Sequence, residues 1–377
     1  MLMDIWSDFN KSSSQEWEEK VLFDFKDKII EDFYWKTEYG KINPFLIDNE
    51  SIVNEKSQNF NEIRWKFNNE NKLNSQILNR LNDGVNSINI DKINFNHSIF
   101  DNVMCSIIQN HVILNSKTDS FEIEQWNNWG KKEIQGSIRM DPLENILENF
   151  SPSKLNDQFR SYENFNNIIK NKALKCLFVN GEIYLKYFID FSTEIAFLAA
   201  HFNEIIEYHK TNNIDIPEKV MIQTFLGNSF LESISKIKAI RCIINQIIKT
   251  HGLTMHIFIE TSPNPEILKQ KEFDFRLIAI SSTVLSSILG GANSFEMSDS
   301  LLETDEEYWK KIMINIPLIL TEESKVKHEM SKGAYMIEQI SKKMAHTSWE
   351  IFKEIENKNG LIKLVNNKKH ANYFKSK

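Results

Sequence analysis

The chain has 377 residues, 41% hydrophobic and 26% charged, and a formal net charge of −7. That balance is ordinary for a globular protein and excludes collagen-like, disordered and membrane-embedded classes. The acidic sign argues against nucleic acid as a partner, because phosphate recognition needs a clustered basic surface.

The first predicted element is a helix. Ser13 and Glu16 have capping-box spacing, and Trp17, Val21, Phe25 and Ile29 recur every four residues as one apolar stripe. Trp35 to Phe45, with Gly40 and Pro44, reads as extended, and the Asn-, Glu- and Lys-rich stretch from Asn49 to Asn74 reads as a linker or wrapping segment. Short β-like runs then alternate with helical patterns. Strands are expected near Val85 to Ile90, His111 to Leu114, Ser137 to Met140, Leu174 to Val179, Val220 to Phe225, Met255 to Ile259, Asn293 to Met297 and Ala334 to Ile337. Ile195, Leu198, Phe202, Ile205, Ile206 and His209 mark one helix face, and Phe230, Ile234, Ile237, Arg241, Ile244 and Ile248 another. Strands alternating with helices imply parallel pairing, and eight such units point to a closed (β/α)8 barrel. The expected organisation is an arm over residues 1–70, the barrel over 71–365 and a basic tail over 366–377 that carries Lys368, Lys369, Lys375 and Lys377.

Several chemistries have no local signature. Cys105, Cys176 and Cys242 form no Cys-x-x-Cys pair, so neither a metal framework nor a disulfide scaffold is expected. Met1 leads into Asp4, Asp8 and Asn10 rather than a basic and then apolar stretch, and no apolar run reaches spanning length. The expectation is a cytoplasmic protein without membrane association. The eleven glycines, with Gly290-Gly291 as the one adjacent pair, assemble no phosphate-cradling motif. His201 and His209, eight residues apart on one helix, stand roughly 12 Å apart by the helical rise and cannot share a metal; helix-surface positions are expected for both.

In a barrel, polar side chains at the carboxyl ends of the strands meet at the mouth, where barrel enzymes place their chemistry. Here that set is Asn89 or Asp91, Asn115, Arg139 or Asp141, Asn180, Gln223, Glu260 and Glu296. Glu260 and Glu296 are candidates for a general acid/base pair, with rim solvation the alternative. Asp141-Pro142 suits a helix cap followed by a first-turn proline. Gly290-Gly291 suits a tight helix-to-strand turn. Glu303, Asp305, Glu306 and Glu307 suit the positive end of a helix, with a metal site the lesser alternative.

Particular strings carry more than their physics. Gly227-Asn228-Ser229-Phe230-Leu231-Glu232 through Lys236 to Arg241 resembles the Gly-x-x-Phe-x-Glu helix of the methylmalonyl-CoA mutase family. In the same order, Asp141-Pro142-Leu143 resembles its Asp-Pro-Leu turn, Glu260-Thr261-Ser262 its Gln-Thr-Ser, and Gly290-Gly291-Ala292-Asn293-Ser294 its Gly-Gly-Thr/Ala-Gln-Ser. Leu320-Thr321-Glu322-Glu323-Ser324, Gly333-Ala334-Tyr335 and Glu354-Ile355-Glu356 with Gly360 extend the series, and Trp17-Glu18-Glu19, Trp35-Lys36-Thr37 and Gly84-Val85 resemble the family's small, non-catalytic subunit.

The resemblance implies a (β/α)8 barrel preceded by an arm that wraps a large catalytic subunit. The catalytic chains isomerise methylmalonyl-CoA to succinyl-CoA, with the thioester along the barrel axis and adenosylcobalamin at the carboxyl face. Departures from that pattern imply a chain that binds no cofactor alone and leaves adenosylcobalamin to its partner. Lys186 or its neighbours stand where catalytic subunits carry a Gly-Tyr-His stretch, His256 to Ser262 replaces Arg-x-His-Cys-Gln-Thr-Ser, and Phe295-Glu296-Met297-Ser298 replaces Leu-His-Thr-Asn. No histidine here has glycine three residues later, so the cobalt-ligand motif Asp-x-His-x-x-Gly is missing, and no flavodoxin-like cobalamin domain is expected. The expectation is a non-catalytic small subunit in a heterodimer, with acyl-CoA binding left open. The alternatives are a barrel enzyme or metabolite-binding module acting without B12 through Gln223, Glu260, Asn293, Glu296 and Lys186, or a mutase barrel whose B12 domain is on another chain. Large side chains filling the axis favour the first reading and an open polar shaft the second.

Overall fold

Ile63, Trp65 and Phe67 alternate with Glu62, Arg64 and Lys66, and that two-residue period gives Glu62–Phe67 one apolar and one charged face. It is a strand at the heart of the sheet, although composition marks the surrounding stretch as linker. The computed structural model describes residues 12–45, 60–67, 73–91, 102–108, 111–117, 135–149, 155–169, 172–187, 190–269, 272–301 and 307–367. A small antiparallel hairpin comes first, with β1 Trp35–Thr37 and β2 Gly40–Ile42. The barrel strands follow as β3 Glu62–Phe67, β4 Ser87–Asp91, β5 Ile113–Lys117, β6 Gln135–Arg139, β7 Leu177–Val179, β8 Lys219–Leu226, β9 His256–Pro263 and β10 Ser294–Ser298.

These eight strands are ordered β6-β5-β4-β3-β10-β9-β8-β7, and every neighbouring pair is parallel. A single parallel bridge, Ile138 to Lys175, joins β6 to the approach of β7 and nearly closes the ring. The chain therefore folds as a (β/α)8 barrel. The expected count of eight stands with one strand exchanged. Ala334 to Ile337, expected as the last strand, opens the helix Tyr335–Asn357 instead, and β3 takes the vacant place in the ring.

The main apolar core lies between the strands and the helices outside them. Outward side chains such as Val220, Ile222, Ile257, Ile259, Phe295 and Met297 pack under the faces of Phe191–Thr211, Phe230–Thr250, Phe273–Gly290 and Tyr335–Asn357. Each fully buried Ile or Phe there contributes roughly 1.5–3 kcal/mol relative to exposure. Gly291, at φ 84°, ends the helix Phe273–Gly290 in the left-handed conformation that lets the chain turn into β10. Gly136, at φ 144°, lies so close to β5 that a Cβ there would overlap the Leu114 carbonyl.

The arm is only partly laid on this barrel. Its helix, Ser14–Asp24, begins with the expected capping box: Glu16 N donates to Ser13 Oγ at 3.1 Å and Ser13 N to Glu16 Oε2 at 2.7 Å. It ends before Phe25, so the apolar stripe outruns the helix, and none of the helix's residues is buried. The hairpin is docked more firmly. Ile42 and Phe45 are buried, and the Tyr39 hydroxyl donates to Glu232 Oε1 at 2.7 Å.

Candidate functional site

Inside the ring the inward positions carry charge. Glu260 on β9 accepts from Arg139 on β6 through one hydrogen bond, Nη1 to Oε1 at 3.1 Å, and its Oε2 lies in ion-pair contact 3.0 Å from Nη2 of the same guanidinium. It also pairs with Arg64 on β3, which in turn pairs with Glu62. β6, β9 and β3 are not neighbours in the sheet, so one carboxylate joins three walls across the lumen. Arg64, Arg139 and Glu260 are 0%, 1% and 0% exposed, which means these charges are out of water altogether. Removing two charges from water is costly, and a pair survives there only when its hydrogen bonds are satisfied.

The surrounding side chains supply part of that satisfaction, while Arg64 Nη1, Arg139 Nη2 and Glu260 Oε2 meet one another as ion-pair contacts alone. Arg64 Nε donates to Ser87 Oγ at 3.0 Å, Ser87 to Glu62 at 2.9 Å, Asn115 Nδ2 to Ser87 at 3.1 Å, Ser137 to Asn115 Oδ1 at 2.6 Å and Arg139 Nε to Ser137 at 3.1 Å. Phe178 lies 5.3 Å from the Arg139 guanidinium and Phe258 5.9 Å from that of Arg64. Burial and the nearby Arg64 press Arg139 below the usual arginine value, to about 10, where it is still cationic in the neutral range. The result is a plug of two guanidinium and two carboxylate groups, neutral as a unit.

Above the plug, Lys66 at the end of β3 lies 3.1 Å from Asp91 of β4 and 3.6 Å from Glu182, which follows β7 on the far side of the ring. Burial disfavours the Lys66 ammonium, but Glu296, Asp91 and Glu182 outweigh it and hold its pKa above the ordinary lysine value. Asn89 Nδ2 donates to Glu296 Oε2 at 2.6 Å. The mouth is thus crossed by a second charged bridge.

The sequence-derived candidates fall at different depths. Gln223 shares a register level with Glu260, Ser294 and Glu62, in mid-lumen and buried. Glu260 is the centre of the plug rather than a free carboxylate at the rim, because two arginines engage both its oxygens. Glu296 lies higher and pairs with Asn89. Asn293 is not at the mouth: it precedes β10 at the amino end, where its side-chain oxygen accepts from Ile259 N at 2.9 Å and Arg241 Nη2 at 3.2 Å. Lys186 closes the short turn Gly181–Lys186 after β7, and its side chain lies outside what the structure describes. Glu303, Asp305, Glu306 and the four lysines of the tail also lie outside the described residues.

His201 and His209 depart from the helix surface expected of them, since both are fully buried. His201 Nε2 meets Asp141 Oδ1 at 2.9 Å and its Nδ1 meets the Tyr184 hydroxyl at 3.2 Å. His209 meets the Tyr162 hydroxyl at 2.9 Å, and burial pushes its pKa down. Asp141 also accepts from Leu143 N at 2.9 Å, the local role expected of it, and from Asn180 N at 2.8 Å. Arg64 and Lys66 are not among the sequence-derived candidates; their alternation with Ile63, Trp65 and Phe67 is the signal that marks them. Among the described residues no group of His, Cys, Asp and Glu is arranged to hold a metal, and no helix is long and apolar enough to cross a membrane.

Architecture and lumen together define a parallel eight-stranded barrel with a charged, filled axis. Residues 83–373 match the methylmalonyl-CoA mutase family, and the chain belongs to that family. A methylmalonyl-CoA mutase of Rhizobium meliloti is 22% identical over 186 residues, a match covering 46% of this chain and 26% of that protein. Among solved structures, dihydropteroate synthase of Yersinia pestis aligns with a TM-score of 0.41 and 12% identity, covering 69% of this chain and 93% of that one. The Coxiella burnetii dihydropteroate synthase aligns at 0.34 and 10%, covering 71% and 94%. Likeness at that level carries no argument about function.

Proposed function

We propose that this chain is the small, non-catalytic subunit of an adenosylcobalamin-dependent methylmalonyl-CoA mutase and stabilises a large subunit that performs the isomerisation. The observation that carries this reading is the Arg64–Glu260–Arg139 bridge. A thioester drawn along the axis would have to separate three mutually paired, water-excluded charges, and a neutral pantetheine chain offers them nothing in exchange. The side chains present therefore do not fit that ligand, and no step of the isomerisation is derived through them. The plug also speaks against an open-shaft enzyme or metabolite-binding module, because Gln223, Glu260 and Glu296 sit in or beside a filled lumen.

The arm supports the structural half of the reading. Trp17, Leu22, Phe23, Phe25 and Ile29 are exposed apolar side chains on or just after a helix that buries none of its residues on its own barrel. Such a surface suits an obligate interface, above about 2,000 Å² in total.

Co-expression with the large mutase chain, followed by size exclusion and corrin analysis of the separated subunits, tests the reading. A stable heterodimer with corrin on the large chain alone is expected, and isothermal titration of the small chain with CoA should show no binding heat. A well-behaved monomer that ignores the large chain, or one that binds CoA tightly, would overturn it.

A further inference from the structure

The C-terminal helix Gly360–Asn366 is joined to Tyr335–Asn357 by two consecutive residues with left-handed backbone, Asn359 at φ 70° and Gly360 at φ 87°. Asn and Gly are the residues that adopt left-handed backbone most readily, so the two together make a sharp joint whose angle is set by how the helix beyond it docks. Docking is by Leu361, Leu364 and Val365, which are buried, and by Glu204, whose Oε1 accepts from Ile362 N at 3.1 Å. The Glu204 carboxylate fills the space in which a Cβ of Gly360 would stand.

A second carboxylate faces the same joint. Glu356 Oε2 accepts from Asn203 Nδ2 at 3.1 Å, while its Oε1 is buried with no hydrogen-bond partner among the described residues. An ionised carboxylate with a bare buried oxygen is costly, and a proton on that oxygen removes the cost. The groups around it do not supply a compensating cation. Glu204 and Glu207 of the Phe191–Thr211 helix are acidic neighbours. His251 presents Nε2 to Asn203 Oδ1 at 2.8 Å, with its other nitrogen 2.7 Å from Lys210 and 3.6 Å from Glu207. Lys358, on the joint itself, pairs with Glu354 at 3.9 Å. His201 acts on Glu204 from a distance and is itself engaged with Asp141 at 2.9 Å.

We propose that Glu204 and Glu356 form a proton-operated latch: a proton on Glu356 relieves the repulsion between the two carboxylates and keeps the C-terminal helix docked on Glu204, and its loss releases that helix from the barrel. Burial, and then Glu204, raise the Glu356 carboxyl to about 7, and burial raises Glu204 as well. A carboxyl raised in the folded state favours folding at acid pH, and that contribution is lost as pH climbs from the ordinary carboxyl range toward 7. The latch therefore closes on acidification.

Hydrogen exchange on the full chain tests this. After correction for intrinsic rates, protection of the Leu361–Val365 amides should fall about tenfold between about pH 5.5 and 7.5 and then level off, while amides of Phe230–Thr250 hold constant. Glu356→Gln, which keeps the shape and removes the titration, should flatten the profile at the closed level. Infrared spectroscopy should show a protonated carboxyl band above about pH 6 that is absent from this variant. Should Glu356→Gln fail to fold, Glu204→Gln should lower the midpoint of the profile. A flat wild-type profile, a variant that keeps the wild-type slope, or a wild type without the band would overturn the latch.

Discussion

Replacing Glu260 with Gln removes one charge from the plug and leaves its shape nearly unchanged. Arg64 would keep Glu62 as a partner, whereas Arg139 would retain only Ser137 and the Phe178 ring. An arginine 1% exposed would then be held without a carboxylate in contact, with Glu296 and Asp91 acting on it from a distance. Removing one member of a buried pair typically costs about 3–5 kcal/mol, and that range is the expectation here. Urea unfolding followed by circular dichroism would register it as a lower midpoint at unchanged slope. Glu260→Gln combined with Arg139→Gln should recover roughly half of the loss, because the stranded guanidinium is removed with its partner. A triple replacement of Arg64, Glu260 and Arg139 by Met, Leu and Leu should come within about 2 kcal/mol of wild type or exceed it. If Glu260→Gln unfolds within about 1 kcal/mol of wild type, the three-walled bridge is not what fills the axis and the reasoning fails.

Three further outcomes follow from the same geometry. Lys236, fully buried, donates to Glu194 and to the Phe225 carbonyl, both at 2.7 Å; Lys236→Met should cost about 3 kcal/mol in urea unfolding, since Glu194 would keep only Thr224. Gly136→Ala should prevent soluble expression, because the added methyl group meets the β5 backbone rather than a movable side chain. Gly291→Ala meets nothing closer than 3.8 Å, so its cost should be conformational alone, about 1–2 kcal/mol, with the fold intact by circular dichroism.

The outer layer of the barrel was readable in the sequence because it follows simple periods. Ile195 to His209 and Phe230 to Ile248 keep helical spacing, and the apolar runs before them are strands lined on the outside by Val and Ile. The inner layer was not readable, because its residues are satisfied by partners distant along the chain. Glu62, Arg64 and Lys66 look like linker charges until Glu260, from nearly two hundred positions later, is placed against Arg64. His201 and His209 read as surface residues for the same reason, since Tyr184 with Asp141 and Tyr162 are what make burial tolerable. At Ala334 to Ile337 a short apolar run suits a strand or a helix start equally, and only the continuing face of Ile337, Ile340, Ser341 and Met344 decides between them.

The uneven closure of the ring sets how the molecule should come apart. β3 and β10 are zipped over five residue pairs, whereas β6 and the approach to β7 share one bridge. Two four-stranded leaves thus hinge on a strong spine and meet at a loose edge, like a book with a single clasp. The clasp is the natural place for a polypeptide break that spares the rest, because cutting between the leaves severs the fewest ladder bonds, while the plug, which spans both leaves through Arg139 and Glu260, still holds the covers together.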